Sequence, residues 1–264
     1  MRHSLAVFLL LTLVACSSDP AKEDQNLSAD DLYSKAQASI QDKDYEKAVK
    51  QLETLQSRYP YGRYAQQAQM EIAYANYKHD EAVPALAALD QFVKLYPNSP
   101  HLDYVYFLKG LINFNENINS MFGTVFRQDP SDRDPTALHE SFDAFKELVT
   151  RFPDSKYAPD ARLRMKYLLV TLAKHDIHVA SYYLRRSAFV AAANRAKIVL
   201  TDYPNTPQTR DALQIMVQAY AALGMTDLSR DAQRVLDLNI AKDGIKPSQS
   251  YFPEHEPPLW KFWN

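Results

Sequence analysis

Residues 48–60 read Ala-Val-Lys-Gln-Leu-Glu-Thr-Leu-Gln-Ser-Arg-Tyr-Pro. Ala48, with Leu52 and Leu55 at offsets of four and seven, lies on one stripe of a helix, and Pro60 comes where that helix must already have ended. The same spacing, with an aromatic residue before each proline, recurs at Ala85, Leu89, Phe92 and Pro97; at Ser141, Phe145, Leu148 and Pro153; and at Ala192, Ala196, Val199 and Pro204. Each copy is followed by a polar turn and another long helical pattern. The repeating unit is therefore predicted to be a pair of helices.

The spacing of these prolines indicates the architecture. The first interval is thirty-seven residues, close to the roughly 34-residue period of tetratricopeptide helix pairs. We therefore predict an all-α fold, a tetratricopeptide-like α-solenoid of about five helix pairs. The predicted pairs cover residues 28–58, 61–95, 99–152, 155–202 and 206–240.

The next two intervals, fifty-six and fifty-one residues, are too long for a bare repeat and require insertions or longer helices. In the third pair, residues 115–134 form an irregular stretch whose length is typical of a functional loop, and whose apolar middle is expected to pack on a helix. In the fourth pair, residues 157–203 predict two unusually long helices. Ala36, Ala73 and Gly110 take the small position of the first helix in pairs one to three, where two helix backbones approach closely.

Composition argues against several classes of protein. The chain has five glycines, none closer together than thirteen residues, which excludes a P-loop and a dinucleotide-binding fingerprint. A net charge of -2 provides no electrostatic footprint for nucleic acid. No glycine-flanked nucleophile is present, so we predict neither an enzyme nor a cofactor. His175 and His178 could share a metal ion, but without a third ligand at matching spacing we favour surface histidines and expect no metal site.

The amino terminus predicts export and lipidation. Residues 1–15 have a basic start and an apolar run too short to span a bilayer, as in a signal peptide. Residues 13–16, Leu-Val-Ala-Cys, resemble the bacterial lipobox, and Cys16 is the only cysteine in the sequence, so we predict that Cys16 is lipidated. The alternative is an ordinary cleaved signal with an incidental cysteine. Ser17, where an aspartate would favour retention in the inner membrane, suggests the outer membrane by resemblance to lipoprotein sorting, and residues 16–27 read as a flexible tether.

The carboxy terminus has a different composition. Residues 241–264 are rich in proline and aromatic residues and show no helical period. We expect an extended or disordered tail that could dock on a partner or at the membrane interface.

Two sets of side chains are candidates for binding other polypeptides. Tyrosines are concentrated in the first helices of pairs two and three, at Tyr61, Tyr64, Tyr74, Tyr77, Tyr104 and Tyr106. Most are expected to pack between helices, and the remainder would suit an extended, aromatic-containing peptide. Arg185, Arg186 and Arg195 either form a solvated helix face or meet an acidic partner surface.

Several segments, taken in order, resemble the BamD family of lipoproteins from the outer-membrane β-barrel assembly machinery. They are residues 58–67, 97–111, 131–135, 182–186 and 194–195. With the lipobox, the resemblance covers nearly the whole chain between Cys16 and residue 240.

The resemblance implies a non-enzymatic, lipid-anchored subunit on the periplasmic face of the outer membrane, which scaffolds the complex and assists the folding and insertion of β-barrel proteins. Residues 28–152 would form the half that binds unfolded outer-membrane proteins, with Tyr61, Tyr64 and Tyr104 as candidate contacts. Residues 153–240 would dock on the periplasmic domains of the central barrel subunit, BamA, and on other Bam lipoproteins. Arg195 is the first candidate for that contact, with Arg186 and Tyr183, whereas Asp132 and Arg133 are expected to cap and brace the irregular stretch.

Two alternatives from other classes remain open at this point. An adaptor lipoprotein for division or polysaccharide export would share the lipobox and the helix pairs. An enzyme acting on peptidoglycan would need an acidic pair or a metal cluster within a cleft, and the sequence offers neither.

Overall fold

A computed structural model of the chain describes residues 27–118, 131 and 134–243. Ten helices, and no strand, occupy these residues: α1 (Ala29–Gln41), α2 (Tyr45–Arg58), α3 (Ala65–Lys78), α4 (Ala82–Leu95), α5 (Leu102–Ile118), α6 (Thr136–Arg151), α7 (Ala158–Arg185), α8 (Phe189–Asp202), α9 (Gln208–Ala222) and α10 (Thr226–Asp243). The all-α fold of about five helix pairs is therefore confirmed.

The chain divides into two compact units, Met1–Ala88 and Leu89–Asn264. In the described part of the first unit, α1 packs on α2 and α2 on α3. In the second unit, α5 packs on α6, and each later helix packs on the next. Helix α7 also packs on α9, so that the first helices of the fourth and fifth pairs lie against each other. That pattern of neighbours is the one expected of stacked helix pairs.

The apolar stripe that repeats along the sequence forms the core, as predicted. All twelve of its small and apolar positions in the four copies are 0–1% exposed. The stripe is buried because residues at offsets of four and seven share one helix face, which must turn away from water.

Each copy of the repeat also ends in the same way. The aromatic residue before the proline donates its backbone N–H to the carbonyl of the third stripe residue, as Tyr59 does to Leu55 at 2.8 Å and Phe152 does to Leu148 at 2.8 Å. The residue before a proline is disfavoured in the α conformation, so the helix stops there. The aromatic carbonyl then accepts a bond from the residue three positions on, which sets the turn into the next pair.

A second recurring turn joins the two helices within a pair, and the sequence did not reveal it. One residue in each of four such turns has a left-handed backbone, with φ between 60° and 74°: Lys43, Asp80, Ser187 and Gly224. The following residue donates its N–H to a carbonyl five positions back, at 2.9–3.0 Å, as in a Schellman motif. Glycine is the usual signal for this motif, and three of the four turns lack it.

Gly110 marks a close approach of α5 to α6. A Cβ atom at Gly110 would lie 2.4 Å from Cε1 of Phe145, closer than any real contact. Ser141, one turn earlier in α6, donates its hydroxyl to the Gly110 carbonyl at 2.9 Å. The predicted close approach at Gly110 is therefore confirmed, and two stripe residues of α6 pack directly on it.

Some expectations about length were wrong. Only α7, with 28 residues, is unusually long in the fourth pair, because α8 has 14 residues like most second helices. Helix α10 continues to Asp243, three residues into the predicted tail. The signal peptide, Cys16, the tether up to residue 26, the middle of the irregular stretch with Asp132 and Arg133, and residues 244–264 lie outside the described residues.

The boundary predicted between a substrate-binding half and a docking half, at residue 152, falls inside one hydrophobic cluster. Phe145 and Leu148 of α6 share that cluster with Ala161 and Leu168 of α7. The packing is thus continuous across residue 152, and the functional division stays a prediction.

Candidate functional site

An exposed aromatic patch lies in the first unit, where the chain passes from α2 to α3. We define this aromatic patch as Tyr33, Tyr59, Tyr61 and Tyr64. Tyr61 is 99% exposed, since it lies in the turn set by Pro60 and no core stripe passes through it. Tyr59 is 37% exposed, and its hydroxyl donates to the carbonyl of Leu27 at 3.3 Å.

Tyr64 is held in place by its neighbours. Its ring stacks on that of Tyr33, with 4.3 Å between centroids and 13° between planes. Its hydroxyl donates to the Asp30 carboxylate and accepts a bond from Arg63 at 2.7 Å. Arg63 also pairs with Asp30 and lies 4.7 Å from the Tyr64 ring centroid. These charges are exposed, so their pairing orients the ring more than it stabilises the fold.

Tyr33 completes the wall of the aromatic patch. Its hydroxyl donates to Glu71 at 2.8 Å, and the side-chain amides of Gln37 and Gln67 donate to the same carboxylate. Burial, followed by the hydrogen bond and the charge of Glu71, raises the pKa of Tyr33 well above its usual value. The patch therefore combines the stacked rings of Tyr33 and Tyr64 with the partly exposed ring of Tyr59 and the fully exposed ring of Tyr61.

Tyr104, the third candidate for substrate contact, lies in the second unit. It is half-buried, with its ring 5.8 Å from that of Tyr157, and Tyr157 in turn stacks on Phe107 at 4.7 Å. Tyr104 thus belongs to an aromatic layer between α5 and the start of α7. Of the three candidates, Tyr61 and Tyr64 lie in the first unit, whereas Tyr104 lies in the second.

Arg195, the first candidate for partner contact, is engaged within the chain. Its Nη1 lies 2.9 Å from Oδ1 of Asp176, which joins α8 to α7. The Asp176 side chain is 8% exposed and that of Arg195 is 39% exposed. Burial, and then the carboxylates of Asp176 and Asp202, raise the pKa of the neighbouring Tyr203 to about 12. Arg195 therefore has a structural role and still presents part of its side chain to solvent.

Arg186 and Tyr183 lie at the turn between α7 and α8. Arg186 is exposed, and its guanidinium lies 5.6 Å from the ring centroid of Tyr182. Tyr183 is half-buried and packs against the core, whereas Tyr182 is 49% exposed. Sequence reasoning missed Tyr182 as the exposed ring. Ala173 and Ala180 are buried, and Tyr183 follows Ala180 at an offset of three, which places all three on one helix face. That spacing would have predicted a packed Tyr183 and an exposed Tyr182.

His175 and His178 both lie close to Ser131 of the irregular stretch. His175 donates from Nδ1 to the carbonyl of Ser131 at 2.8 Å, and Nδ1 of His178 lies 3.4 Å from the Ser131 hydroxyl. Asp176, between them in sequence, faces Arg195. Within residues 27–118, 131 and 134–243, no three His, Cys, Asp or Glu side chains group as metal ligands would.

A helix that spans a membrane must be long and predominantly apolar. In the part of the chain that the structure describes, no helix combines the length and the apolar character needed to cross a bilayer.

The chain folds into stacked helix pairs whose core stripe leaves aromatic and arginine side chains at the surface. One recurring turn joins the helices within a pair and another joins successive pairs. These features define a tetratricopeptide-like repeat protein. That class presents extended surfaces to other polypeptides. Comparison with known proteins gives the particular family. Residues 25–236 match the family model of YfiO, described as an outer membrane lipoprotein.

Relatives with the same family assignment match this chain over most or nearly all of its length. The chain is 42% identical to outer membrane protein assembly factor BamD of Neisseria meningitidis serogroup A, over 98% of each chain. It is 38% identical to the BamD protein of Vibrio cholerae, over 90% of this chain and 98% of the relative. The BamD protein of Haemophilus influenzae is 34% identical over 89% of this chain and 90% of its own. The chain belongs to the BamD family of outer membrane protein assembly factors.

Proposed function

We propose that this chain is a lipid-anchored subunit of the machinery that assembles outer-membrane β-barrel proteins, bound to the periplasmic face of the outer membrane through Cys16. The observation that carries this proposal is the 42% identity, over 98% of both chains, to a relative named as an outer membrane protein assembly factor. The chain acts by holding other polypeptides and not by transforming them. Its parts are a lipidated anchor, an aromatic patch for substrates and an arginine-bearing surface for partner subunits.

The aromatic patch is the proposed site for unfolded outer-membrane proteins. The resemblance implies recognition of the carboxy-terminal strand of a substrate, which alternates apolar positions and ends in an aromatic residue. Tyr61 offers a fully exposed ring three residues before Tyr64, whose ring stacks on that of Tyr33. Offset or edge-to-face aromatic contacts contribute about 0.5–1.5 kcal/mol each. A few such contacts give binding weak enough for release to the next step of assembly.

The turn between α7 and α8, together with the exposed part of Arg195, is the proposed surface for the central barrel subunit. Arg186 over Tyr182 presents a cation and a ring side by side, and aromatic and arginine residues are enriched where interfaces are strongest. An acidic patch on the partner would complement Arg186 and the outer edge of Arg195. The smaller lipoproteins of the complex are proposed to bind elsewhere on residues 153–240.

Tyr61→Ala tests the substrate site. We expect it to weaken binding of a peptide that copies the last strand of a β-barrel protein by about tenfold, the equivalent of about 1.4 kcal/mol. Because Tyr61 is 99% exposed, thermal unfolding should stay unchanged. Binding is measured by fluorescence anisotropy of the labelled peptide. Val83→Ala, at a 79% exposed apolar position in the same unit, is the matched control and should bind normally. Equal affinity of both variants would remove Tyr61 from the site.

The function as a whole is tested by purifying the lipidated chain from its host in mild detergent and identifying the proteins that accompany it. We expect the central barrel subunit and other lipoproteins of the assembly machinery, because they are the proposed partners of residues 153–240. Tyr61→Ala, which leaves that surface intact, should recover the same set. Recovery of division or polysaccharide-export proteins in their place would contradict the proposal and favour the adaptor alternative.

A further inference from the structure

The last helix pair has an open groove between α9 and α10, with a volume of about 700 Å³. Its α9 wall has the small apolar residues Val217 and Ala221, whereas its α10 wall carries Arg230 and Arg234. Leu238, which is 60% exposed, lies at the end of the groove nearer the carboxyl terminus of α10. We call this feature the α9–α10 groove. The groove therefore places two guanidinium groups opposite an apolar wall, and the Asp237 carboxylate lines it nearer Leu238. An apolar wall opposite two guanidinium groups suits a peptide that carries aromatic side chains and places its acidic ones at Arg230 and Arg234.

The two arginines can still bind a further carboxylate or aromatic ring. Arg230 pairs with Asp227 at 3.4 Å and Arg234 with Asp231 at 3.2 Å, each on the same helix. All four side chains are at least 65% exposed, and such pairs contribute little to stability. A guanidinium has five N–H donors and can also stack on an aromatic ring, so each arginine can accept a further carboxylate or ring.

We propose that the α9–α10 groove binds the chain's own carboxy-terminal segment, residues 251–260. This segment reads Tyr-Phe-Pro-Glu-His-Glu-Pro-Pro-Leu-Trp. Its two carboxylates, Glu254 and Glu256, lie between an aromatic pair on one side and Leu259-Trp260 on the other. Bound in the groove, the carboxylates pair with Arg230 and Arg234 while the apolar residues on either side cover the α9 wall and Leu238. Three prolines in the segment restrict its unbound conformations, which lowers the entropic cost of binding.

The length of the connection allows this contact. Helix α10 ends at Asp243, and Arg230 lies thirteen residues earlier, about 20 Å back along the helix. Residues 244–254 reach up to about 36 Å when extended, so Glu254 can return to Arg230 with slack. A short connection of this kind gives an effective concentration in the millimolar range, and weak contacts then suffice for occupancy. The bound segment would cap α9 and α10, the last helix pair that the structure describes.

Tryptophan fluorescence provides a direct test, because the chain has two tryptophans: Trp260, the last residue of the carboxy-terminal segment, and Trp263, three residues beyond it. In the purified full chain we expect acrylamide to quench this fluorescence at least twofold less efficiently than in a synthetic peptide of residues 244–264. Arg230→Glu/Arg234→Glu should restore the quenching of the free peptide. Lys174→Glu/Lys197→Glu, at two exposed cations of α7 and α8, is the matched control and should leave the quenching low.

Crosslinking identifies what the segment touches. A photoreactive phenylalanine analogue at Phe252, in the full chain within its membrane, should crosslink to α9 or α10 of the same chain. Arg230→Glu/Arg234→Glu should abolish that product, and adding Glu254→Arg/Glu256→Arg should restore it. The proposal is overturned by crosslinks only to another protein or to a second copy. It is also overturned by low quenching that the arginine reversal does not change, which indicates insertion into the detergent or membrane.

Discussion

Gly110→Ala is expected to lower the free energy of unfolding of the second unit by about 2–3 kcal/mol, toward the upper end of the cost of overpacking a core. The added Cβ would lie 2.4–2.8 Å from three ring atoms of Phe145, which is 0% exposed within the core. Alanine is the better helix former by about 1 kcal/mol. The steric cost of the added Cβ must therefore exceed this gain to produce the expected net loss of stability. Chemical denaturation followed by circular dichroism measures the change.

A double-mutant cycle separates the steric cause from other effects of Gly110→Ala. Phe145→Leu removes the ring edge that the new Cβ meets, at a cost of its own for the smaller side chain. Gly110→Ala/Phe145→Leu should therefore be at least about 1 kcal/mol more stable than the sum of the two single changes predicts. Strict additivity would show that the close approach of α5 and α6 does not limit residue 110.

Arg195→Glu is expected to lower the free energy of unfolding by about 2–3 kcal/mol, somewhat less than the 3–5 kcal/mol for breaking a fully buried pair. The substitution places a second carboxylate beside Asp176, whose side chain is 8% exposed and cannot recover water. The cost is reduced because the Arg195 side chain is 39% exposed and a glutamate there can turn outward. Denaturation curves and recovery of the central barrel subunit are measured on the same preparations.

Recovery of the central barrel subunit reports on direct contact only in a variant of Arg195 whose stability has been restored. In Asp176→Asn/Arg195→Glu the buried position is neutral, and its amide can donate to the new carboxylate, so most of the lost stability should return. If that variant is stable and still fails to recover the central barrel subunit, Arg195 contacts the partner directly, as we propose. Normal recovery would assign Arg195 a purely structural role. Unchanged stability of Arg195→Glu alone would contradict the ion pair.

Much of the fold followed from local pattern. The spacing of Ala48, Leu52 and Leu55 is the spacing of one helix face, and every copy of it is buried. Prolines end helices through their own covalent structure, so the pair boundaries followed within a few residues. The left-handed turns at Lys43, Asp80 and Ser187 were not predicted because none of them has glycine, the usual signal for that conformation.

The candidate sites were predictable only in part. Composition and motif order pointed to aromatic and arginine side chains. The residues next to a side chain in sequence do not determine which residues it packs against in the fold. Tyr64 is ordered by Tyr33 of α1, and Arg195 is paired with Asp176, nineteen residues away on another helix. Tyr182 and Tyr183 are adjacent in sequence, and the register of α7 exposes the first while packing the second.

By itself, the sequence determined the helices, their pairing into repeats and the family, because periodicity, proline and motif order are properties of short stretches of chain. The tertiary structure alone decided which tyrosines stay exposed, which arginine is tied to a buried carboxylate, and where α5 and α6 meet. Those outcomes depend on how closely two helices approach and in what register. Both are set by the volumes of side chains on separate helices, as with Gly110 beneath Phe145.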